Sequence, residues 1–242
     1  MLTRRLSAPV GASIAVALIA AGLASNAVAS PRITSAPVFD PNNFVAVIDN
    51  PLYPLPVGRT LVYNGIKDGQ SQRDVVTVTS QKKVILGVTA TVVSDIADHD
   101  GALLEKTSDW FAQDKQGNVW YLGEDTVAFL PHGKTDTTGS WEAGVNGAVP
   151  GIIMEANPQI PDSYRQEYLA GEAEDTAWVV DRGATISVPY GKVKNVLTTL
   201  EATRLEPGAY DQKVYGPGIG IVLEQSLSGP NEFAKLVSVS GP

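Results

Sequence analysis

Five acidic residues are the first candidates for chemistry in this chain of 242 residues. Two carboxyl groups about 5 to 10 Å apart can cleave a glycosidic bond when one is protonated and the other is ionised. Glu105 and Asp109 share one face of a predicted strand, but four strand residues separate them by roughly 13 Å. A further carboxylate must therefore join them through tertiary folding. The candidate acid and base residues are Glu105, Asp109, Glu124, Glu142 and Glu167.

Aromatic and cationic side chains suggest a binding role instead. Tryptophan rings can stack on a sugar or an apolar ligand, although in β proteins they more often belong to the core. The guanidinium of Arg165 can hold a carboxylate through two hydrogen bonds, or form a cross-strand ion pair. The predicted ligand-binding residues are Lys106, Trp110, Trp120, Tyr121, Trp141 and Arg165.

Three aspartates crowd one predicted hairpin and form a weak candidate for a calcium site. They are Asp95, Asp98 and Asp100. Calcium takes six to eight oxygen ligands, but the spacing is not that of an EF-hand loop. Asp98 and Asp100 also have an ordinary use as turn formers. No other metal and no organic cofactor is predicted.

The composition excludes several functions. The chain has no cysteine, which removes disulfides, thiolate metal sites and a thiol nucleophile. Its only histidines, His99 and His132, lie in predicted turns, and no Gly-x-Ser-x-Gly motif occurs. The formal net charge of −8 opposes binding to nucleic acid, which requires a basic surface.

The N-terminus has the pattern of an export signal. Arg4 and Arg5 precede the apolar run 14–24, and Ala27-Val28-Ala29 follows. The run is shorter than the ~20 residues that a spanning helix needs. We therefore expect residues 1–29 to be a signal peptide cleaved near Ala29, a secreted or periplasmic protein, and no transmembrane segment in the remainder.

The rest of the chain predicts an all-β fold. Residues 30–57 are rich in proline and predict an extended leader, either wrapped on the domain or mobile. Residues 58–242 predict one β domain, because short runs of Val, Ile, Thr and aromatic residues recur every 8–12 residues between turn signals. Segments 72–80 and 82–89, for example, are predicted as separate strands. The expected architecture is a single strongly curved antiparallel meander, a half-barrel or open barrel.

Two turns predict a register. A two-residue turn at Asp100-Gly101 pairs Asp95 with Lys106, and a type I turn with a glycine bulge at 115–117 pairs Ala112 with Trp120. One face then carries Asp95, Lys106, Trp110, Trp120 and Glu124, and the other carries Glu105, Asp109, Phe111 and Tyr121. Charged and apolar groups mix on both faces, which is typical of a partly wet concave cavity or of exposed strand tips.

Three segments resemble a group of exported bacterial β proteins of unknown function. They are Asp109–Tyr121, Val188-Pro189-Tyr190-Gly191 and Tyr215–Val222. In that group a Val-Pro-x-Gly strand start is followed by a Tyr-x-Pro-Gly-x-Gly-x-Val hairpin. The group is similar in architecture to the half-barrels of bacterial lipoprotein carriers, whose curved sheet holds apolar cargo. The resemblance implies a fold and an exported location rather than an activity.

Three functions follow as hypotheses. The first is an exported binding protein that holds a small apolar or amphipathic ligand on the curved sheet. The second is an extracytoplasmic hydrolase, lyase or isomerase that uses the carboxylates. The third is a structural or surface protein stabilised by calcium. A co-purifying ligand, a catalytic pair of carboxylates or sensitivity to a chelator would separate them.

Overall fold

The computed structural model describes residues 38–67, 69–229 and 231–242. The predicted signal peptide, its cleavage near Ala29 and residues 30–37 of the leader lie outside these residues. Among the described residues, no helix has the length and apolar character needed to cross a bilayer. The strands are β1 Phe44–Val45, β2 Thr60–Lys67, β3 Gln70–Ile85, β4 Val88–His99, β5 Ala102–Asp114, β6 Val119–Leu130, β7 Lys134–Asp136, β8 Trp141–Glu142, β9 Val149–Met154, β10 Ser163–Arg165, β11 Glu167–Tyr168, β12 Thr176–Val188, β13 Gly191–Ala202, β14 Asp211–Gly216, β15 Gly220–Ser226 and β16 Phe233–Ser240.

One antiparallel sheet curls into a nearly closed barrel with a single seam. The order around the sheet is β10-β12-β13-β14-β15-β16-β2-β3-β4-β5-β6-β9-β11. The two ends of this series, β10 and β11, are neighbours in the chain. Segment 163–168 pairs with β12 through Ser163–Arg165 and with β9 through Glu167–Tyr168. The curved meander expected from the sequence is therefore confirmed, and it closes further than a half-barrel.

The described part of the leader packs across one end of the barrel. Asn50 donates its side-chain amide to the carbonyl oxygen of Gly117 over 2.8 Å. The amide of Gly218 donates to the carbonyl oxygen of Pro51 over 2.7 Å. Gly117 and Gly218 lie in the β5–β6 and β14–β15 turns, so residues 50–55 cover the end of the barrel where these turns meet. We call residues 50–55 the plug.

The first predicted turn is confirmed, but the register beyond it is wrong by one residue. Asp100 and Gly101 both have positive φ, 50° and 82°, as a two-residue type I′ turn requires. A β-bulge then inserts Leu104, so that Asp95 lies opposite Thr107 rather than Lys106. One inserted residue exchanges the two faces of a strand. Asp95 therefore shares its face with Asp109 and Phe111, and Lys106 does not.

The second predicted hairpin is confirmed at its turn, where Ala112 pairs with Trp120. Another β-bulge beside Trp110 shifts the pairing, and Asp109 lies opposite Glu124. The strands predicted at 72–80 and 82–89 form one strand, β3, that ends at the Leu86-Gly87 turn. An irregularity between Val78 and Lys82 bends β3 without ending it, since pairing with β4 continues on both sides.

The buried apolar residues form two clusters. The larger one includes Val78, Phe111, Trp120 and Tyr215. The smaller one lies where the β12–β13 hairpin contacts the neighbouring strands, and it includes Val188, Val214 and Leu236. The alternation of buried and exposed residues within the strands orients the large side chains toward these clusters.

Candidate functional site

An apolar chamber lies inside the barrel directly above the plug. Its volume is about 250 Å³. Strands from most of the ring contribute to its wall, which explains why no single segment of the sequence marks it. The lining includes Tyr53, Leu55, Leu61, Tyr63, Val76, Val93, Phe111, Tyr121, Ile153 and Ile221.

A second, polar chamber of about 280 Å³ adjoins the first on the side away from the plug. Its lining comes from the opposite ends of the same strands, near the β2–β3, β4–β5 and β15–β16 connections. Asp74, Asp95, Glu224 and Ala234 line both chambers. The other polar lining residues include Lys67, Gln72, Glu105, Asp211, Gln225, Ser226 and Glu232.

Three carboxylates separate the two chambers, and we call Asp74, Asp95 and Glu224 the carboxylate layer. Asp74 accepts a hydrogen bond of 2.6 Å from Nε2 of Gln72. Glu224 lies 4.0 Å from Nζ of Lys213. Asp95 differs from both, because its buried Oδ1 has no hydrogen-bond partner among the described residues. An unpaired buried carboxyl oxygen raises the free energy of the folded protein, and a bound group that donates a hydrogen bond to it would remove this cost.

Burial, followed by the charges of the nearby Asp74 and Asp109, raises the pKa of Asp95 to about 8. Burial also raises the pKa of Asp109 to about 6, although the hydroxyl of Tyr121 donates to it over 2.7 Å and opposes this change. At neutral pH the side chain of Asp95 is therefore largely protonated and that of Asp109 largely ionised.

A buried ion pair borders the apolar chamber. Nζ of Lys213 lies 2.8 Å from Oε2 of Glu201. Burial lowers the pKa of Lys213, but the carboxylates of Glu201 and Glu224 outweigh it and hold this pKa well above its ordinary value. Glu201 also accepts hydrogen bonds from Gln166 and Thr199. Lys213 thus pairs more closely with Glu201 than with Glu224 of the carboxylate layer.

A third pocket of about 320 Å³ contains several of the predicted residues, and we call it the tryptophan pocket. Lys83 fills part of it. Nζ of Lys83 lies 2.7 Å from Oε2 of Glu142 and 3.2 Å from the ring centroid of Trp110. Burial, followed by the charge of Asp109, raises the pKa of Glu124 to about 8. The site residues predicted from the sequence that line the tryptophan pocket are Trp110, Glu124, Trp141 and Glu142.

The structure separates the remaining predicted ligand residues from the barrel interior. Trp120 is buried beneath the leader, where Phe39 contacts its ring and its Nε1 donates to Asp114. Lys106 is exposed and lines none of the three pockets. The exposed guanidinium of Arg165 lies 4.5 Å from the ring centroid of Tyr168. Of the predicted ligand residues, Tyr121 alone lines the apolar chamber.

The predicted carboxylates divide among three environments. Asp109 lines the apolar chamber and Glu105 lines the polar chamber. Glu124 and Glu142 lie in the tryptophan pocket. Oε2 of Glu167 accepts a hydrogen bond of 2.9 Å from Nε1 of Trp141, which fixes that ring.

The three aspartates considered for calcium do not form one cluster. Asp95 lies in the carboxylate layer, Asp98 is 3.5 Å from Arg73, and Asp100 is exposed in its turn. Among the described residues, no group of three or more histidine, aspartate or glutamate side chains could hold a metal ion.

Sequence reasoning missed Asp74, Lys213 and Glu224. One signal was available for Asp74, which alternates with Val76 and the fully buried Val78 along β3. A charged residue within the apolar face of a strand indicates a buried polar site. The same signal was available for Lys213, two residues before the buried Tyr215.

The raised pKa values predict that the protein loses stability as the pH rises. The pKa values are about 8 for Asp95 and Glu124 and about 7 for Glu167. Between pH 4 and pH 8 the folded state therefore binds more protons than the unfolded state, and its free energy of unfolding falls with increasing pH. Each pKa unit corresponds to about 1.4 kcal/mol per group, so we expect a loss of several kcal/mol between pH 5 and pH 8, measured as a lower Tm by calorimetry.

Replacement of one buried carboxyl group provides the control for this pH dependence. Asp95→Asn keeps the shape of the protonated side chain and cannot ionise, so it is expected to reduce the loss between pH 5 and pH 8. The exposed residue Asp181 offers the matched substitution, Asp181→Asn, which is expected to leave the profile unchanged. A Tm that increases from pH 5 to pH 8 would contradict the raised pKa values.

No protein-family model matches the chain, and no curated protein matches it in sequence. Two solved structures are similar to it. One, from Bacteroides fragilis, is assigned as an exported protein with a YmcC-like fold; it is 16% identical over 82% of this chain and 100% of its own, with a TM-score of 0.45. The other, from Parabacteroides distasonis, is assigned as a lipoprotein; it is 12% identical over 82% and 99%, with a TM-score of 0.43.

The fold and the interior define the class of this chain. It is an all-β protein whose single antiparallel sheet forms a nearly closed barrel. Its leader covers one end, and two adjoining chambers, one apolar and one lined by carboxylates, lie within the barrel.

Proposed function

We propose that this chain is an exported binding protein that holds a small amphipathic ligand inside the barrel. The observation that carries the proposal is the apolar chamber closed by the plug on one side and bounded by the carboxylate layer on the other. Such a chamber buries the apolar part of a ligand while the layer contacts its polar end. The export signal of the sequence supports the location.

The dimensions support a small ligand. The chambers, of about 250 and 280 Å³, together fall within the ~300–1,000 Å³ typical of small-molecule sites. Tyrosine and phenylalanine rings in the wall, such as Tyr63 and Phe111, offer flat apolar surfaces. Of Trp110, Trp120 and Tyr121, where the sequence predicted the ligand, the proposal keeps Tyr121 and places the ligand within the barrel.

Ala234 offers a direct test, because its small side chain lines both chambers. Ala234→Leu is expected to fill the passage between them and to weaken binding of the neutral apolar dye N-phenyl-1-naphthylamine at least tenfold. Dye fluorescence during titration measures this effect, and native mass spectrometry of the untagged protein reports any co-purifying ligand.

The matched control is Ser238→Leu, which introduces the same side chain at an exposed position of the same strand. It is expected to leave dye binding unchanged. Equal dye affinity for the wild type and both variants would place the dye elsewhere and would refute a binding site in the barrel interior.

A second candidate function, a carboxylate-dependent enzyme, is favoured by one observation. Asp109 and Glu124 lie opposite each other on β5 and β6, with pKa values of about 6 and about 8. Directly opposed residues have Cβ atoms about 5 Å apart, and one ionised and one protonated carboxyl group is the arrangement of an acid–base pair. Hydrolysis of a panel of aryl glycosides that is abolished by Glu124→Gln would establish this function; no turnover by the wild type would exclude it for glycosides.

A further inference from the structure

We propose that the ligand's polar end is a cationic amine that binds the carboxylate layer, with its apolar body in the apolar chamber. This inference rests on the proposed binding function and adds the chemical class of the ligand. It begins from Asp95, which lines both chambers and whose buried Oδ1 has no hydrogen-bond partner among the described residues. An ammonium group carries three N–H donors and can supply the missing bond.

The charges around the interior favour a cation over an anion. Carboxylates face the chambers from β3, β4, β5, β14 and β15, and the cations facing them are Lys67 and Lys213. Lys213 lies 2.8 Å from Glu201 but 4.0 Å from Glu224, so it compensates Glu201 first. The acidic residues lining the two chambers are Asp74, Asp95, Glu105, Asp109, Asp211, Glu224 and Glu232.

The partners of the other layer residues single out Asp95 as the contact for the cation. Asp74 already accepts from Gln72, and Asp109, beside the layer, accepts from Tyr121. A metal ion is a poor fit, because no group of three or more ligating side chains is assembled among the described residues. An ammonium group does not need such a group of ligands, since its three N–H donors are satisfied by ordinary hydrogen bonds and its apolar body is buried separately.

Binding of an amine also couples to a proton. Asp95 is largely protonated at neutral pH, and a neighbouring ammonium favours its ionised form. A proton therefore leaves Asp95 for the solvent when the amine binds, and affinity increases as the pH is raised toward 8. The charged and titratable groups that face Asp95 in the chambers are Asp74, Glu105, Asp109, Lys213 and Glu224.

Three probes that share an eight-carbon alkyl chain and differ in the head group test the inference by isothermal titration calorimetry at pH 7.5. They are octylamine, octanol and octanoate. We expect octylamine to bind at least tenfold more tightly than octanol, and octanoate more weakly than both. The heat of octylamine binding is expected to change with the ionisation enthalpy of the buffer, because a proton is released.

Variants distinguish recognition of the probe's head group from recognition of its octyl chain. Asp95→Asn is expected to weaken octylamine at least tenfold, leave octanol within twofold and remove the buffer dependence, whereas Asp181→Asn changes none of these. Glu224→Gln provides a second layer variant, and thermal unfolding confirms that each variant is folded.

The outcomes distinguish the two proposals. Equal affinity for octylamine and octanol, or preference for octanoate, would overturn the cationic head and leave the barrel interior as an apolar site. No binding of any probe to the wild type would overturn the proposed function and the inference together. Loss of octanol binding in the folded Asp95→Asn protein would overturn the assigned role of Asp95.

Discussion

Replacing Lys213 by methionine is expected to lower the free energy of unfolding by about 4 kcal/mol. The substitution keeps most of the apolar stem but removes the ammonium that lies 2.8 Å from the buried Glu201. Glu201 then retains only neutral hydrogen-bond partners, including Thr199, for a carboxylate in a low-dielectric environment. Denaturation by urea, monitored by tryptophan fluorescence, measures the change.

A double variant distinguishes loss of the ion pair from loss of packing. Adding Glu201→Gln to Lys213→Met removes the unpaired charge and is expected to recover about half of the lost stability. Lys192→Met, at an exposed position on β13, is the control and is expected to change stability by less than about 0.5 kcal/mol. If Lys213→Met alone were as stable as the wild type, the ion pair would not contribute to the fold.

Gly151→Ala is expected to lower the free energy of unfolding by about 3 kcal/mol, because the added Cβ lies inside the barrel seam. A Cβ at Gly151 would overlap the main-chain carbonyl oxygens of Arg165 and Gln166. These oxygens belong to segment 163–168, which joins β9 to β12, so the clash is relieved only by moving that segment. Calorimetry measures the loss in Tm, and amide hydrogen exchange of 163–168 measures the opening of the seam.

The seam prediction has a matched control on the same strand. Val149→Ala removes atoms from a side chain that is 40% exposed, two residues away, and is expected to change stability by less than about 1 kcal/mol. Exchange in segment 163–168 that is as slow in Gly151→Ala as in the wild type would show that β9 does not need close contact at Gly151 to close the barrel.

Closure of the barrel explains why the interior could not be read directly from the sequence. The apolar chamber takes its wall from residues as distant in the chain as Tyr53 and Ala234. The local pattern identified Asp109, Phe111 and Tyr121 as one face, and the structure confirms that these three line one chamber. Asp95 was assigned to the wrong face because the bulge at Leu104 has no separate sequence signal.

The surroundings of the buried tryptophan side chains could not be predicted from the sequence either. The large apolar surfaces of Trp110, Trp120 and Trp141 indicated burial or stacking, and all three are buried, but a barrel has more than one buried region. Trp120 lies under the leader through Phe39 and Phe44, and Trp110 lies against Lys83. These partners are separated from the tryptophans along the chain, so only the packed structure identifies them.

The sequence by itself determined the all-β class, the antiparallel hairpins and the turn at Asp100-Gly101, because alternation and turn chemistry act between residues close in the chain. The tertiary structure decided the closure of the sheet, the plugged end and the carboxylate layer. Asp74 and Asp95 are neighbours on the β3–β4 hairpin, but Glu224 on β15 joins them only when the sheet curves around one interior. Their raised pKa values depend on that burial, since desolvation is a property of the assembled barrel.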